Sequence, residues 1–354
     1  MADVRRYFAW KETVEPIPVI ALTGYLGAGK TSVLNHVLRT SRGRIGVVIN
    51  DFGDINVDAG LVSGQIDEPA SIAGGCICCL PDDGELDVAL TKLADPQLRL
   101  DAIVVEASGL ADPVSIARIV GFSGVDGVRD GGVIDVIDAA AHFDTVDRGG
   151  TAPARYGAAT LVVVNKLDRV PVEDRDTRVS RVEHRVHERN SRAHVVGAIN
   201  GRIDPALLFD VAAARDEVGQ LSFRDLLLAT ETTDDHDHDH VHADSVTVTS
   251  DGSIDPDAVL DLLENPPAGV YRLKGTVTIR HRSASRGYVV NVVGHSVHLT
   301  RASPRVSSNC LVAIGLHVDI DDVRSRLTDV LSPVDTSPSV AAMRRLQRRV
   351  NGSG

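Results

Sequence analysis

The feature that most constrains this chain is the octapeptide Gly24-Tyr25-Leu26-Gly27-Ala28-Gly29-Lys30-Thr31. It follows the apolar run Pro18-Val19-Ile20-Ala21-Leu22 and precedes Ser32-Val33-Leu34-Asn35-His36-Val37-Leu38. The first run predicts a buried strand, and apolar residues at i, i+1, i+4 and i+5 of the second predict a helix. G-x-x-x-x-G-K-T between a strand and a helix is the phosphate-binding P-loop. Gly24, Gly27 and Gly29, with Ala28 between them, let backbone N–H groups turn inward around phosphate oxygens at the positive end of a helix dipole. Lys30 is expected to reach the β- and γ-phosphates, the Thr31 hydroxyl to ligate Mg²⁺, and Ser32 to border the same anion site. A nucleoside triphosphate is the expected ligand.

Beyond the loop, short apolar runs at 44–49, 102–105, 133–137, 161–164 and 193–196 alternate with helical stretches at 85–93 and 178–188. Such alternation predicts an α/β domain, a mainly parallel sheet covered on both faces, over residues 17–228. Composition changes at Asp234-Asp235-His236-Asp237-His238-Asp239-His240-Val241-His242-Ala243-Asp244, a run that cannot bury a core, so 229–244 reads as a linker. Strand-like runs at 245–249, 270–280, 288–293 and 309–314, with helices at 255–263 and 321–327, then predict a smaller α+β domain over 245–331. Residues 1–16 read as an N-terminal extension and 332–354 as a tail with a basic helical segment at 343–350. At 354 residues, with 43% apolar and 24% charged residues, the chain suits two globular domains. A net charge of −12 argues against a nucleic-acid surface. The N-terminal residues carry no apolar segment of a signal peptide, and no 18-residue apolar run predicts a membrane span. A cytoplasmic protein is expected.

Asn165-Lys166-Leu167-Asp168, directly after an apolar strand, is the N-K-x-D guanine pattern. The two oxygens of Asp168 can accept from guanine N1–H and the 2-amino group, donors that adenine lacks on that edge. Asn165 and Lys166 are expected to brace the P-loop and cover the base, so the triphosphate is GTP. Glu106, at the end of a buried run, is placed to hold a Mg²⁺-bound water, and the Gly109 N–H to contact the γ-phosphate. In Gly74-Gly75-Cys76-Ile77-Cys78-Cys79, Cys76, Cys78 and Cys79 offer three soft ligands in four residues. They suit three of the four tetrahedral positions that Zn²⁺ prefers, with redox sensing as the alternative. His236, His238, His240 and His242 share one side of an extended segment and are candidate metal ligands; a solvated acidic linker is the other reading. Cys310 is expected in a core, and His281, His295 and His298 on the surface or internally satisfied.

These motifs in this order, together with Asn50-Asp51-Phe52-Gly53, the stretch Glu106-Ala107-Ser108-Gly109-Leu110-Ala111-Asp112-Pro113 and Tyr271-Arg272-Leu273-Lys274-Gly275, resemble the CobW family of P-loop GTPases, relatives of the hydrogenase and urease nickel chaperones. The resemblance spans most of 17–330. It implies a cytoplasmic metal-inserting GTPase, for zinc in many members and for cobalt (Co²⁺) in some, often with a His-rich linker. Many members carry Glu where Asp51 and Asp54 stand, and some carry an acid where Ile49 stands, so this chain has a shorter or smaller carboxylate set. Asp51 or Asp54 is the candidate for positioning the attacking water, and Asp54 is also a candidate metal ligand. Expected partners are GTP or GDP, a divalent metal, a client metalloprotein or chelatase, and a second copy of the chain. With no evident arginine finger, intrinsic hydrolysis is expected to be slow. The competing readings are cobalt delivery in cobalamin biosynthesis and a GTP-dependent, zinc-responsive regulatory module acting on a partner such as the ribosome. A nucleotide kinase is a third, against which the guanine pattern speaks.

Overall fold

Strands that are apolar on both faces must be covered on both faces, and this decides the larger half of the molecule. The computed structural model describes residues 16–41, 43–49, 70–71, 84–107, 125–208, 243–281, 284–294, 296–302, 308–334 and 338–351. Strand β1 (Ile17–Gly24) is buried at every position and leads through the loop into helix α1 (Lys30–Thr40). Val33, Leu34, Val37 and Leu38 form the buried stripe of α1, as their spacing predicts. Next come β2 (Ile45–Ile49), the two-residue β3 (Ala70–Ser71), α2 (Gly84–Leu93), β4 (Ala102–Glu106) and β5 (Val128–Asp138). The short α3 (His142–Thr145), β6 (Leu161–Asn165), α4 (Arg175–His187) and β7 (His194–Gly197) complete this half. The sheet order is β3-β2-β4-β1-β5-β6-β7, and every pairing is parallel. From β1 the chain places β2 and β3 on one side, fills the gap beside β1 with β4, and then crosses to the other side of β1 as β5. A doubly wound sheet binds ligands at the carboxyl ends of its strands beside such a switch point, where the glycine loop lies.

The second half opens with β8 (Asp244–Asp251) and α5 (Pro256–Glu264), whose start is capped by the Asp255 carboxylate accepting from the Asp257 N–H. A meander of β9 (Val270–His281), β10 (Ala284–Val293) and β11 (Ser296–Arg301) follows, then β12 (Ser308–Gly315), which returns to the other side of β9, and then α6 (Ile320–Val330) and α7 (Val340–Asn351). The antiparallel order is β11-β10-β9-β12-β8. Its inward positions, among them Val246, Leu273, Val277, Val290, Leu299 and Leu311, share one core with residues of α5, α6 and α7. The architecture is therefore a parallel-sheet P-loop domain followed by a smaller α+β domain.

Three details depart from the sequence reading. β5 starts at Val128, five residues before the apolar run at 133, and carries Arg129, Asp130, Gly131 and Gly132 into the sheet. β11 is an additional strand in which only Val297 and Leu299 face the core side. Cys310, expected in the core, is half-buried, because alternation along β12 sends Asn309, Leu311 and Ala313 inward and Cys310 to the other face.

The early half of β5 is where the two sheets meet. Arg129 Nη2 donates to Asn291 Oδ1 at 3.2 Å, and Ser296 Oγ donates to Asp130 Oδ2. The Tyr271 and Thr160 hydroxyls lie 3.2 Å apart, with the His194 ring edge-on to Tyr271. The far end of β5 lies beside the glycine loop.

Candidate nucleotide site

The loop after β1 is shaped by two close approaches. A Cβ on Gly24 would sit 2.6 Å from the Val136 carbonyl oxygen, and one on Gly29 would sit 2.3 Å from Asn165 Nδ2. Both glycines also have positive φ, 151° and 102°, so the backbone turn itself demands them. Ala28 N–H closes the loop on the Tyr25 carbonyl at 3.0 Å, and Val33 N–H on Gly29 O begins the helical ladder. The first N–H groups of α1 have no carbonyl a turn earlier, which makes the loop interior an anion cradle.

Charged and polar side chains converge there. Lys30 is buried, its Nζ 3.2 Å from the Gly24 carbonyl oxygen. Thr31 Oγ1 donates to Glu106 Oε1 at 3.3 Å, joining the first turn of α1 to the buried end of β4. Asn165, the last residue of β6, donates from Nδ2 to Ala28 O at 3.0 Å and accepts the Gly201 N–H on Oδ1 at 2.8 Å. Lys166 has left-handed backbone, φ 63°, and its ammonium donates to Gly27 O and to Asp138 Oδ2, the latter at 2.7 Å. Asp168 is exposed, and its Oδ1 accepts the Asn200 N–H at 3.4 Å. Ser32 is exposed on the first turn of α1. The structure thus gathers Gly24, Gly27, Ala28, Gly29, Lys30, Thr31, Ser32, Glu106, Asn165, Lys166 and Asp168 around one loop. Asp51, Asp54, Gly109, the cysteines at 76, 78 and 79 and the histidines at 236, 238, 240 and 242 lie outside the described residues. Among the described residues, no group of three His, Cys, Asp or Glu is placed to hold a metal ion.

Several contributors were not picked out from the sequence. Asp138 closes β5 as Glu106 closes β4, and an acid ending a buried strand next to the loop was the available signal. Asn200 and Gly201 both have positive φ, and their N–H groups reach Asp168 and Asn165. Asp135 accepts from Thr23 Oγ1 at 3.1 Å and is gripped by Arg155 through Nε at 3.0 Å and Nη2 at 2.6 Å. Beside the loop lies a small open cleft, with Leu26, Asp138, His142 and Arg155 on its walls.

His142 is buried under the cleft, its Nε2 against the Tyr156 hydroxyl, which in turn donates to Asp147 Oδ2 at 3.3 Å. Arg185 grips the same Asp147 from α4. Burial drives the His142 pKa down to about 4, against the pull of the Asp135 and Asp147 carboxylates. Burial also works against the Asp138 carboxylate, but hydrogen bonds from Lys166 and from the Ala140 and Ala141 N–H groups outweigh it and hold its pKa below the usual range. A histidine whose folded pKa lies below its unfolded value binds a proton in the unfolded chain first. Stability is therefore expected to fall as pH drops from about 6.5 towards 4, by on the order of 3 kcal/mol for His142 alone. Burial also pushes His194 down to about 4 and lowers His298, so urea unfolding at about pH 7 and about pH 5 is compared between the parent and His142→Gln, above the range in which the depressed carboxylates titrate. An equal pH dependence in the two proteins would show that His142 titrates normally in the fold.

Comparison with known proteins follows the same division. Residues 18–197 match the family profile described as the CobW/HypB/UreG nucleotide-binding domain. Residues 243–331 match the profile described as the cobalamin synthesis protein cobW C-terminal domain. Zinc chaperone CobW of Sinorhizobium is 30% identical over 353 residues, 88% of this chain and 96% of its own. Zinc chaperone YjiA of Escherichia coli K12 is 33% identical over 208 residues, 56% of this chain and 62% of its own length. The Zn(II)-bound YjiA GTPase from E. coli aligns over 89% of this chain and 99% of its own, at 21% identity and a TM-score of 0.39. Among the described residues, no helix is long and apolar enough to cross a membrane.

Proposed function

The chain belongs to the CobW/HypB/UreG family, and from that premise we propose that it is a GTPase that carries zinc to a client protein in the cytoplasm. One observation carries the nucleotide half of this reading. Asn165 bonds the phosphate loop at Ala28 and the Asn200–Gly201 turn at once, so the loop that would read guanine and the loop that would hold the phosphates form one unit. Lys30 would stabilise charge on the β- and γ-phosphates as GTP and water give GDP and phosphate, and Asp168 would select the base. A hydroxyl and a carboxylate, Thr31 and Glu106, meet at the helix start, and that hard oxygen donor set fits Mg²⁺. Bound there, Mg²⁺ would neutralise phosphate charge. Asp51 would position the attacking water. Arg155, the arginine on the cleft beside the loop, is engaged bidentately by Asp135, which supports a slow intrinsic rate.

Zinc is the cargo. Cys76, Cys78 and Cys79 would bind it as thiolates, with Asp54 and the histidines at 236, 238, 240 and 242 as accessory ligands. The names of two relatives at 30% and 33% identity support zinc. In this reading 17–228 is the GTPase domain, 229–244 a metal-gathering linker and 245–331 the C-terminal domain. The cysteines lie in sequence between the 50–64 segment and Gly109, the stretches nearest a γ-phosphate in this reading, so GTP would change zinc affinity. Competitive zinc titration with and without a non-hydrolysable GTP analogue tests it. The expected result is a shift of about tenfold, within the usual range of coupling between two sites, and its loss in Cys78→Ala. Identical affinities in both states would sink the coupling. The name of the matched C-terminal profile favours one second reading, cobalt delivery to a chelatase, which the same titration with Co²⁺ addresses.

A further inference from the structure

In the sheet, β5 lies between β1, which carries the phosphate loop, and β6, which carries the guanine loop. Lys166 starts from the end of β6 and must pass over β5 to reach Gly27 O. Asp138 stands at that crossing, in register with Asn165. Both of its oxygens are assigned. Oδ1 accepts the Ala140 and Ala141 N–H groups at 2.9 and 3.2 Å, and Oδ2 accepts the Lys166 ammonium at 2.7 Å. The Lys166–Asp138 pair is about one-fifth exposed on each side, so salt and water screen it less than a surface pair.

A lysine ammonium is a compact, strongly hydrated charge on a flexible stem. One backbone carbonyl is a weak anchor for it; a carboxylate held at both oxygens is a far stronger one. The left-handed backbone of Lys166, which lysine rarely adopts, points the same way, since a side chain needed in a particular place justifies it. We propose that Asp138 is a positioning residue of the nucleotide site: it fixes the Lys166 ammonium against Gly27 and so sets the spacing between the guanine loop and the phosphate loop. The inference rests on the guanine-nucleotide reading above. Its physical content is that base and diphosphate can be held together only when their two loops keep one separation.

Asp138→Asn separates this role from a merely structural one. The amide keeps an oxygen for the two N–H groups but turns an N–H donor towards the ammonium. GDP affinity, measured by calorimetry on the full chain, is expected to weaken about tenfold, the scale of one lost charge-assisted bond. In a Lys166→Met background the same change should cost less than about twofold, because its target is gone. The melting temperature of the nucleotide-free protein should move by no more than about 2 °C. GDP binding by Asp138→Asn equal to the parent's, an equal loss in both backgrounds, or a large melting shift would overturn the proposal. A parent protein that does not bind GDP would overturn the guanine reading and this inference with it, an outcome distinct from a variant that binds like the parent.

Discussion

Lys30→Ala is expected to lower GTP affinity at least about 100-fold and to bring phosphate release to background. The size follows from what is removed. In the structure the ammonium is already inside the loop, buried and bonded to the Gly24 carbonyl oxygen. A hydrogen bond to a charged group contributes about 1.5–3 kcal/mol, and an ammonium between two phosphates makes more than one, so about 3–4 kcal/mol disappears. The fold is expected to survive. Alanine is readily accommodated in a helix, and the apolar stripe of α1 (Val33, Leu34, Val37, Leu38) does not involve Lys30. Calorimetry with GTP and GDP, alongside a thermal melt, distinguishes lost binding from lost structure. Binding within about fivefold of the parent would mean that phosphates are held elsewhere than in this loop.

How far the site was legible in the sequence depended on whether its pattern is local. The loop, β1 and α1 are adjacent in the chain, and the glycines, lysine and apolar spacing each report on their own neighbours. Continuous apolar runs marked β4 and β6 for the same reason, since a strand buried on both faces has no polar positions to obscure it. Contacts between distant segments were not legible. Asp138 meets Lys166 28 residues further on, and Lys166 meets Gly27 across 139 residues. The Arg129-Asp130-Gly131-Gly132 start of β5 looks like a loop until Asn291 and Ser296 of the other sheet supply its partners. Ser296–Arg301 offers no continuous apolar run, because half of a strand covered on one face is polar. His142 stood out by no motif, yet its burial makes it a pH-sensitive point of the fold.

The second large effect is a change of base rather than a loss of binding. Asp168 follows β6, exposed, with Asn200 N–H on one of its oxygens. A carboxylate offers only acceptors and so matches the two donors of guanine, N1–H and the 2-amino group. Asp168→Asn replaces one acceptor by an N–H donor. Guanine then loses one hydrogen bond and brings its amino group against another donor, whereas xanthine carries a carbonyl oxygen at that carbon and matches the amide. An unsatisfied or opposed polar contact in a recognition site costs about 1–3 kcal/mol, and with the lost bond GTP affinity is expected to fall on the order of 100-fold. XTP affinity should rise by a similar factor, reversing the preference of the parent. Stability should hardly change, because an exposed side chain loses little in the unbound protein. Competition between GTP and XTP on both proteins reads the reversal directly. Were Asp168→Asn to keep the parent's preference for GTP, the base would be read by the Asn200–Gly201 turn or by groups outside the described residues, and Asp168 would lose its assigned role. A reversal would instead tie base selection to the end of β6, the same strand end whose Asn165 and Lys166 hold the phosphate loop.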